Sequence, residues 1–315
     1  MRPILLTLIG LGCAMLCIGV PSATYAALPA AEAEFVAGLR GRRLFRLAEM
    51  HARQQLAQPN VPLDQQADWV IELSRTFAAQ AIETNPATSG PMWEKATQVI
   101  DDFAKPFPRD DARSLLPRVQ KALVLLAHGE LLRHQAEVSS ANQALLEEAR
   151  VPLRKAIEEL TSLRAEAAEW QRPGMAGRLP PGAPSLPELF ALETNLDYQL
   201  SRAYRNQGHS YPPASADRTA ALLKAVERLS LLAQQPVEDP LGWPSRLDEI
   251  SSYRLLEDFQ RARQRLEQLD TLKPPPAVAL AARAERIRLA LDAKLIDEAL
   301  ALVGQGWAIG GQTSP

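Results

Sequence analysis

Apolar and polar residues follow each other along most of the chain with the three- and four-residue spacing of amphipathic helices. Ala, Leu, Glu, Arg and Gln dominate the long segments, and no stretch sustains the two-residue alternation of a strand. The pattern predicts an all-α protein. The predicted helices span 30–57, 64–84, 91–104, 110–137, 141–171, 186–207, 216–235, 246–271, 276–292 and 295–303.

Proline and glycine clusters separate these helices. The largest, PGMAGRLPPGAPSLP at 173–187, has eight Pro or Gly among fifteen residues, too many for a helix to continue. It predicts a long loop or a domain boundary between a helical region at 27–172 and a second one at 188–303, with a flexible tail at 304–315. Smaller breaks occur at 85–91, 209–215, 235–244 and 273–276. The helical segments between them have the length of helices in helical hairpin arrays.

One triplet recurs in the helical segments: a large apolar residue, an Ala three positions later and an apolar residue four beyond that. The Ala lets a neighbouring helix approach closely, while the larger residues fill the groove on either side. The triplets are Phe45-Ala48-Ala52, Trp93-Ala96-Ile100, Leu153-Ala156-Leu160, Leu222-Ala225-Leu229, Phe259-Ala262-Leu266 and Ile296-Ala299-Val303. Because an Ala-rich helical chain also produces such triplets by chance, spacing alone leaves repeat homology open.

The segment YRLLEDFQRARQRLEQLDTLKP at 253–274 resembles a tetratricopeptide repeat. Tyr253 lies where the first helix of that repeat carries its aromatic residue. Phe259 and Ala262 match the aromatic and small residues that open the second helix, and Pro274 matches the closing proline. The repeat positions assigned in this way, together with the matching triplets, are Phe45, Ala48, Trp93, Ala96, Phe259, Ala262, Pro274, Ile296 and Ala299.

The next segment, AERIRLALDAKLIDEALALV, resembles the same family through Leu291, Ile296 and Ala299. Two features depart from the family pattern. Ile250 occupies the place of a small residue, and the two units lie 37 residues apart, against the family's 34. The resemblance implies a divergent tetratricopeptide-like α-solenoid, a stack of helix pairs whose extended surface suits a protein or peptide partner.

Five arginines and a histidine fall within LRGRRLFRLAEMHARQQLAQP at 39–59, a density that suggests a nucleic-acid-binding arm. The apolar positions of this stretch align with the repeat, which puts the Gly-Arg cluster at a turn between two helices. Arg40, Arg46 and Arg53 are then expected on the outward face. Because no aromatic stacking platform accompanies them, the pattern favours a solvated surface and no nucleic-acid partner.

Residues 32–137 as a whole resemble the N-terminal part of long exported tetratricopeptide-type proteins of planctomycete bacteria. That resemblance rests on the apolar register of FVAGLRGRRLFRLAEMHARQQL and the following VPLDQQADWVIELSRTFAAQA. Since such relatives are usually longer, the chain is expected to be the N-terminal portion of one or a shortened member.

The first 26 residues have the layout of a secretory signal. Arg2 precedes the apolar run ILLTLIGLGCAMLCIGV, and Thr24 and Ala26 meet the small-residue requirement of a cleavage site. We expect cleavage after Ala26, export to the periplasm or cell envelope, and no stable membrane insertion afterwards. An uncleaved membrane anchor is the alternative, although a run of seventeen residues is at the short limit for a spanning helix.

Cysteine usage and charge narrow the functional classes further. Cys13 and Cys17 both lie in the leader, so a chain that starts at 27 has no disulfide and must hold its core by packing. Gly10 and Ala14 stand three residues before them, where a lipoprotein signal needs a Leu-like residue, which disfavours a lipid-anchored assembly factor. Without Arg2 the net charge is about −3, a balance that does not attract nucleic acid or anionic membranes.

The sequence offers no catalytic, cofactor or metal motif of adequate specificity. GHSYP at 208–212 imitates a nucleophile elbow around Ser210, but Pro212 replaces the second glycine and the stretch joins two helices. GQGWAIGG at 304–311 fails the spacing of a phosphate loop. His128 and His134 are six residues apart, on different faces of one predicted helix, with no further ligand at metal-binding spacing.

The sequence is compatible with two functions. The leading hypothesis is an exported, non-catalytic helical-repeat scaffold that binds an unknown protein or peptide. The alternative is a cell-envelope enzyme built on an α-helical superhelix, such as a peptidoglycan-cleaving lytic transglycosylase. Those enzymes carry a catalytic Glu-Ser pair, and this chain contains no Glu-Ser dipeptide.

Overall fold

The computed structural model describes residues 28–108, 111–139, 142–179 and 182–310. Within these ranges the chain is all-helical and contains no strand, so the predicted all-α class is confirmed. The expected leader at 1–26 lies outside the described residues. No helix of the described part is both long and apolar enough to cross a membrane.

The described residues form twelve α-helices that pack sequentially along the chain, with a short 3-10 turn at Ala112–Ser114. They are α1 (Ala30–Gly41), α2 (Phe45–Leu56), α3 (Leu63–Glu83), α4 (Pro86–Ala104), α5 (Leu115–Val138), α6 (Gln143–Met175), α7 (Leu186–Ser210), α8 (Ala216–Leu232), α9 (Gly242–Leu255), α10 (Phe259–Thr271), α11 (Pro276–Asp292) and α12 (Ile296–Gly310).

Several predicted helix boundaries were wrong. The single helix predicted at 30–57 is interrupted between α1 and α2, and α4 begins at Pro86, ahead of its predicted start. Proline is tolerated there because the first turn of a helix has no use for its missing N–H. At the other end of the chain α12 continues to Gly310, past the predicted end at 303, since glycine lowers helix propensity without forbidding a helix.

One turn recurs at three helix pairs. Between α1 and α2, Arg43 adopts a left-handed conformation with φ of 61°, and Glu257 and Lys294 do the same between α9 and α10 and between α11 and α12, at 62° and 60°. In each turn the next residue donates its N–H to a carbonyl five residues back: Leu44 to Leu39, Asp258 to Tyr253 and Leu295 to Ala290, over 2.8–3.0 Å. This is the Schellman arrangement that satisfies the last carbonyls of a helix.

The helices belong to two compact units. The first comprises the described parts of 1–120 and 164–193, and the second those of 121–163 and 194–315. The segment at 173–187 lies in the first unit, where α6 ends at Met175 and α7 begins at Leu186.

The core of the first unit surrounds α3, which packs against α1, α2 and α4. Trp69, Leu73 and Phe77 are buried at four-residue spacing along it. Ser74, also buried, donates its hydroxyl to the Ala96 carbonyl of α4 over 2.7 Å, so the polar atom that the core encloses is satisfied. Together these contacts make α3 the central element of that unit.

The core of the second unit includes a cluster drawn from α8 to α11. Its buried members are Val226, Ile250, Tyr253, Ala262, Leu266, Leu269, Ala282 and Leu289, with Phe259 partly buried against them. Four residues singled out by the repeat pattern, Tyr253, Phe259, Ala262 and Leu266, therefore meet in one place. The cluster holds the helix pair α9–α10 to its neighbours on both sides.

Candidate interaction surface

The small residue of every predicted triplet is buried. Ala48, Ala96 and Ala262 have no exposed surface, Ala299 is 4% exposed, and the two remaining alanines, at 156 and 225, are fully buried. Each lies on a helix that packs against a neighbour, as the proposed role of a small residue requires. Burial of this kind is also what an ordinary helical core would give.

The large residues of the triplets differ more. Trp93 is buried, Phe45 and Phe259 are half-buried, and Ile296 is 53% exposed. Pro274 is half-buried in the link between α10 and α11. The final triplet therefore packs through its Ala and presents its larger apolar side chains at the surface.

The recurrent turn sets the repeat positions in one register. α2, α10 and α12 begin at Phe45, Phe259 and Ile296, each two residues after the left-handed residue of the turn. The alanine three positions later donates its backbone N–H to the carbonyl of the residue just before the helix. The pairs are Ala48–Leu44, Ala262–Asp258 and Ala299–Leu295, each with an N···O distance of 3.1 Å. Trp93 does not share this register because it lies in the interior of α4.

Arg40 was expected on the outward face, and this was wrong. Its guanidinium turns toward α3 and pairs with Glu72, which is almost fully buried. The reason is that Arg40 follows the buried Leu39, where α1 packs on α3, so its stem lies along apolar surface and its head reaches a carboxylate. Arg46 and Arg53 are exposed, as predicted.

Buried or half-buried arginine–carboxylate pairs join alternate helices in both units. The Arg40–Glu72 pair links α1 to α3 in the first unit. In the second unit the pairs are Arg202–Glu130 at 2.8 Å between α7 and α5, Arg205–Asp248 between α7 and α9, and Arg254–Glu285 at 3.1 Å between α9 and α11. Because an unpaired buried charge is very costly, each pair favours the side-by-side placement of its two helices.

A polar cluster at the ends of α5 and α7 extends this arrangement. Arg133 is buried, and its guanidinium donates to the Asn206 side chain and to Glu137, both at 2.7 Å, while His209 lies 2.8 Å from the same group. Burial raises the pKa of Glu137, but hydrogen bonds from His134 and His209 and the charge of Arg133 together hold that pKa below its usual range. The carboxylate therefore stays ionised in acid.

The exposed edge of this cluster carries groups that a ligand can reach. The side chains of His134 and Glu137 are 62% and 42% exposed, whereas Arg133 behind them is buried. Hydrogen-bond donors and acceptors of His134 and Glu137 are thus exposed at the surface and are held from behind by the buried Arg133. We call the set Arg133, His134, Glu137, Asn206 and His209 the polar cluster.

Ser210 and His128, from the incomplete nucleophile and metal motifs, lie in α7 and α5. Ser210 is buried at the end of α7, and its hydroxyl donates to the Gln207 carbonyl over 2.7 Å, while Arg150 donates to the carbonyl of Ser210 itself. His128 is half-buried in α5, and burial lowers its pKa to about 4. Among the described residues, no group of three or more His, Cys, Asp or Glu side chains is arranged to hold a metal ion.

The sequence pattern did not single out Asp68 or the arginine–carboxylate pairs. Asp68 lies in α3, where a lone acid among polar helix residues gives no signal. The partners in the arginine pairs are 31 to 72 residues apart, so only the tertiary fold brings them together.

Comparison with known proteins does not place the chain in a family. No protein-family model matches it, and no curated protein matches it. Function must therefore be inferred from the turns, the buried pairs and the surfaces themselves.

Proposed function

We propose that the protein is an exported helical-repeat scaffold of divergent tetratricopeptide-like type that binds a protein or peptide in the cell envelope without catalysing a reaction. The observation that carries the proposal is the recurrent turn at Arg43, Glu257 and Lys294. In three helix pairs a left-handed residue stands at the same place in the turn and the backbone hydrogen bonds are the same, and each second helix begins at a triplet residue.

The identity of the residues at these turns strengthens the case for a repeat. Left-handed residues after helices are most often Gly, yet none of the three is Gly. The same hydrogen bond also follows Gly177, where Arg178 donates its N–H to the Pro173 carbonyl over 2.8 Å, but the next helix there does not begin at a triplet residue. The combination of this turn with a triplet residue two positions later is therefore what supports descent from one repeated unit. Phe45 and Phe259 at the same place in that geometry are the aromatic positions of the family pattern.

The arginine–carboxylate pairs support a stacked arrangement of helix pairs. A solenoid requires each helix to contact its neighbour in sequence and also the equivalent helix of the next pair. Within the second unit, α9 does both, packing against α8 and α10 and also against α11, to which Arg254 joins it. This is the contact pattern that would make the second unit a short α-solenoid.

The polar cluster is the surface we assign to partner binding in the second unit. Its exposed His134 and Glu137 can exchange hydrogen bonds with the backbone or side chains of a bound chain, and its buried base keeps them in position. Internal pairing leaves little net charge, which suits a polar peptide better than a polyanion. The secretory layout of residues 1–26 supports an interaction in the envelope.

Site-specific photo-crosslinking in the native envelope tests the proposal. A photoreactive residue is introduced at His134, on the exposed edge of the polar cluster, or at Glu267, an exposed position of α10 away from it. We expect a discrete crosslinked protein or peptide from the His134 variant and none from the Glu267 variant. Equal crosslinking from both positions would contradict the assigned surface.

A hydrolysis assay addresses the alternative function. Purified chain beginning at Ala27 is incubated with isolated peptidoglycan, and released muropeptides are measured. We expect no release above a heat-treated control. Release that depends on the folded chain would overturn the non-catalytic proposal in favour of the envelope enzyme.

A further inference from the structure

Asp68 fastens the first described residue of the chain to the central helix of its unit. Its Oδ2 accepts a hydrogen bond from the Leu28 backbone N–H at 3.1 Å, across 40 residues of sequence. Burial raises the pKa of Asp68 to about 6, and the neighbouring acids Glu72 and Asp64 act in the same direction, whereas the Leu28 bond and Arg75 lower it. Burial and the two acids outweigh the Leu28 bond and Arg75, so the ionised carboxylate is less favoured than it is in water.

The described cations around Asp68 are engaged with other acids. Arg75 donates to Glu72 at 2.7 Å, and Arg40 pairs with the same carboxylate. Arg113 lies across a small cavity from Asp68 and donates to Asp111 at 2.9 Å. Asp68 is thus a half-buried acid that accepts a hydrogen bond from a neutral N–H, while these arginines pair with other carboxylates.

The cavity beside Asp68 has room for one small polar group. Its volume is about 20 Å³, and Asp64, Asp68 and Arg113 line it together with residues of the 182–184 segment. A space of this size holds one water molecule, and an ammonium head is of similar size. Two carboxylate-bearing residues therefore face a site that fits a small cation.

We propose that Asp68 is the binding site for the α-ammonium group that cleavage of the leader creates on Ala27. The proposal rests on the cleavage after Ala26 that is part of the proposed function. Hydrolysis adds water across the amide between Ala26 and Ala27, leaving a carboxylate on the released leader and an amine on Ala27. That amine takes up a proton at neutral pH.

Covalent geometry brings the new charge within reach of Asp68. The nitrogens of Ala27 and Leu28 are joined by three bonds and lie at most about 3.7 Å apart. Since Leu28 nitrogen is 3.1 Å from Asp68 Oδ2, the ammonium lies within about 7 Å of that oxygen, and rotation about the bonds of Ala27 brings it closer. Once this rotation brings the two groups within about 6 Å, their opposite charges favour the ionised form of each.

The ion pair exists only after processing. In the uncleaved chain the nitrogen of residue 27 is a neutral amide, so the half-buried Asp68 gains no positive charge from it. In the cleaved chain the ammonium compensates the carboxylate. Cleavage therefore adds stability to the first unit.

The test compares four forms of the chain that begins at Ala27, produced with a removable tag. They carry a free or an acetylated α-amino group, each with Asp68 or with the Asp68→Asn substitution. At pH 7 we expect the free form to melt about 2–4 °C above the acetylated form when Asp68 is present. With Asp68→Asn, acetylation should have no effect, because asparagine keeps the acceptor for Leu28 but carries no charge.

The acetylated and the free chain should differ in how their folding stability depends on pH. In the acetylated chain the folded pKa of Asp68 is above its unfolded value, so the folded state holds the proton more tightly and stability falls as pH rises from about 4 to 6. In the free chain the ammonium lowers that pKa and removes the fall. The charged neighbours of Asp68, namely Asp64, Glu72, Arg75 and Arg113, are present in both chains, so their contributions cancel in the comparison.

The Asp64→Asn variant is the matched control, since it removes an acid one helical turn away that also lines the cavity. It should retain the effect of acetylation. The proposal is overturned if acetylation changes the melting temperature equally with Asp68 and with Asp68→Asn, or changes neither. Mass spectrometry of the native protein tests the cleavage separately: a chain beginning at Met1 defeats the leader assignment and leaves the measurement on Asp68 unaffected.

Discussion

Ala262 shows at the scale of one residue why the proposed repeat requires a small side chain at this position. It has no exposed surface, and it lies in the cluster formed with Tyr253 and Leu266. Replacing it with Phe should overpack this contact and lower stability by roughly 1 to 3 kcal/mol. Urea unfolding of the purified chain measures the change.

The control for this substitution is Gln264→Phe, at an exposed position of the same helix. It introduces the same ring and should change stability by less than about 0.5 kcal/mol. Equal losses from the two variants would mean that the fully buried position of Ala262, and the register that predicts it, is wrong.

His128 makes the second unit sensitive to acid. Burial lowers its folded pKa to about 4, below the 6.5 of the unfolded chain, so the unfolded state binds the proton first as pH falls. Stability from this residue is complete above pH 6.5 and is lost as pH falls toward 4, by roughly 1 to 3 kcal/mol. His128→Gln should reduce this acid-induced loss, as thermal melts of both proteins between pH 7 and 4 will show. A parallel decline in the two proteins would contradict the prediction.

At the scale of helices, Gly208 marks the closest approach of α7 and α8. A Cβ at this position would lie 2.8 Å from Leu222 Cγ and 3.3 Å from the Arg218 carbonyl oxygen. Gly208→Ala should therefore destabilise the protein by roughly 1 to 3 kcal/mol, although Ala is the better helix former. Chemical denaturation measures the difference.

Gly38 provides the comparison, since it lies in α1 and a Cβ there meets nothing within 4 Å. Gly38→Ala should raise stability by up to about 1 kcal/mol, through helix propensity alone. Opposite signs at the two glycines would show that contact between helices decides the effect. If Gly208→Ala instead raised stability, α8 would have to move away from the added methyl group without loss of stability, which contradicts the prediction.

Helix existence could be predicted from the sequence, whereas helix ends could not always be. The periodic segments became helices because their apolar residues are buried on one face, as along α3. The break between α1 and α2 was placed correctly only when the repeat pattern was considered, because Arg43 carries no glycine signal for a left-handed turn. The Gly-rich 304–310 stretch shows the opposite error. Its glycine content predicted a flexible tail, but the residues continue the helix α12.

At the scale of the whole molecule, the 173–187 segment is the expected site of first proteolysis. Met175, the last residue of α6, is exposed, and so are the three residues after it, up to Arg178. Trypsin should therefore cut first after Arg178, since exposed backbone outside helices is the preferred substrate. Arg178→Gln should slow this cut, and mass spectrometry of a time course identifies the fragments. A first cut within 115–135, inside α5, would show that the segment is better protected than its exposure indicates.

The candidate site could be predicted only in part, for a physical reason. The buried alanines follow from local spacing, which a sequence contains. The polar cluster and the arginine pairs depend on which helices become neighbours, because Arg133 reaches Asn206 and His209 across more than seventy residues. Arg40 illustrates the same limit, since its inward direction is decided by Glu72 of another helix.

The turn shared by Arg43, Glu257 and Lys294 has a consequence for how such a chain evolves. Its geometry is held by backbone hydrogen bonds, and the side chain at the left-handed position is acidic in one turn and basic in the other two. Substitutions there cost at most about 1 to 2 kcal/mol relative to glycine and leave the bonds in place. If the three helix pairs descend from one repeated unit, as proposed above, their sequences can diverge while each pair keeps the same turn, so common origin remains visible in the backbone after it is lost from the sequence.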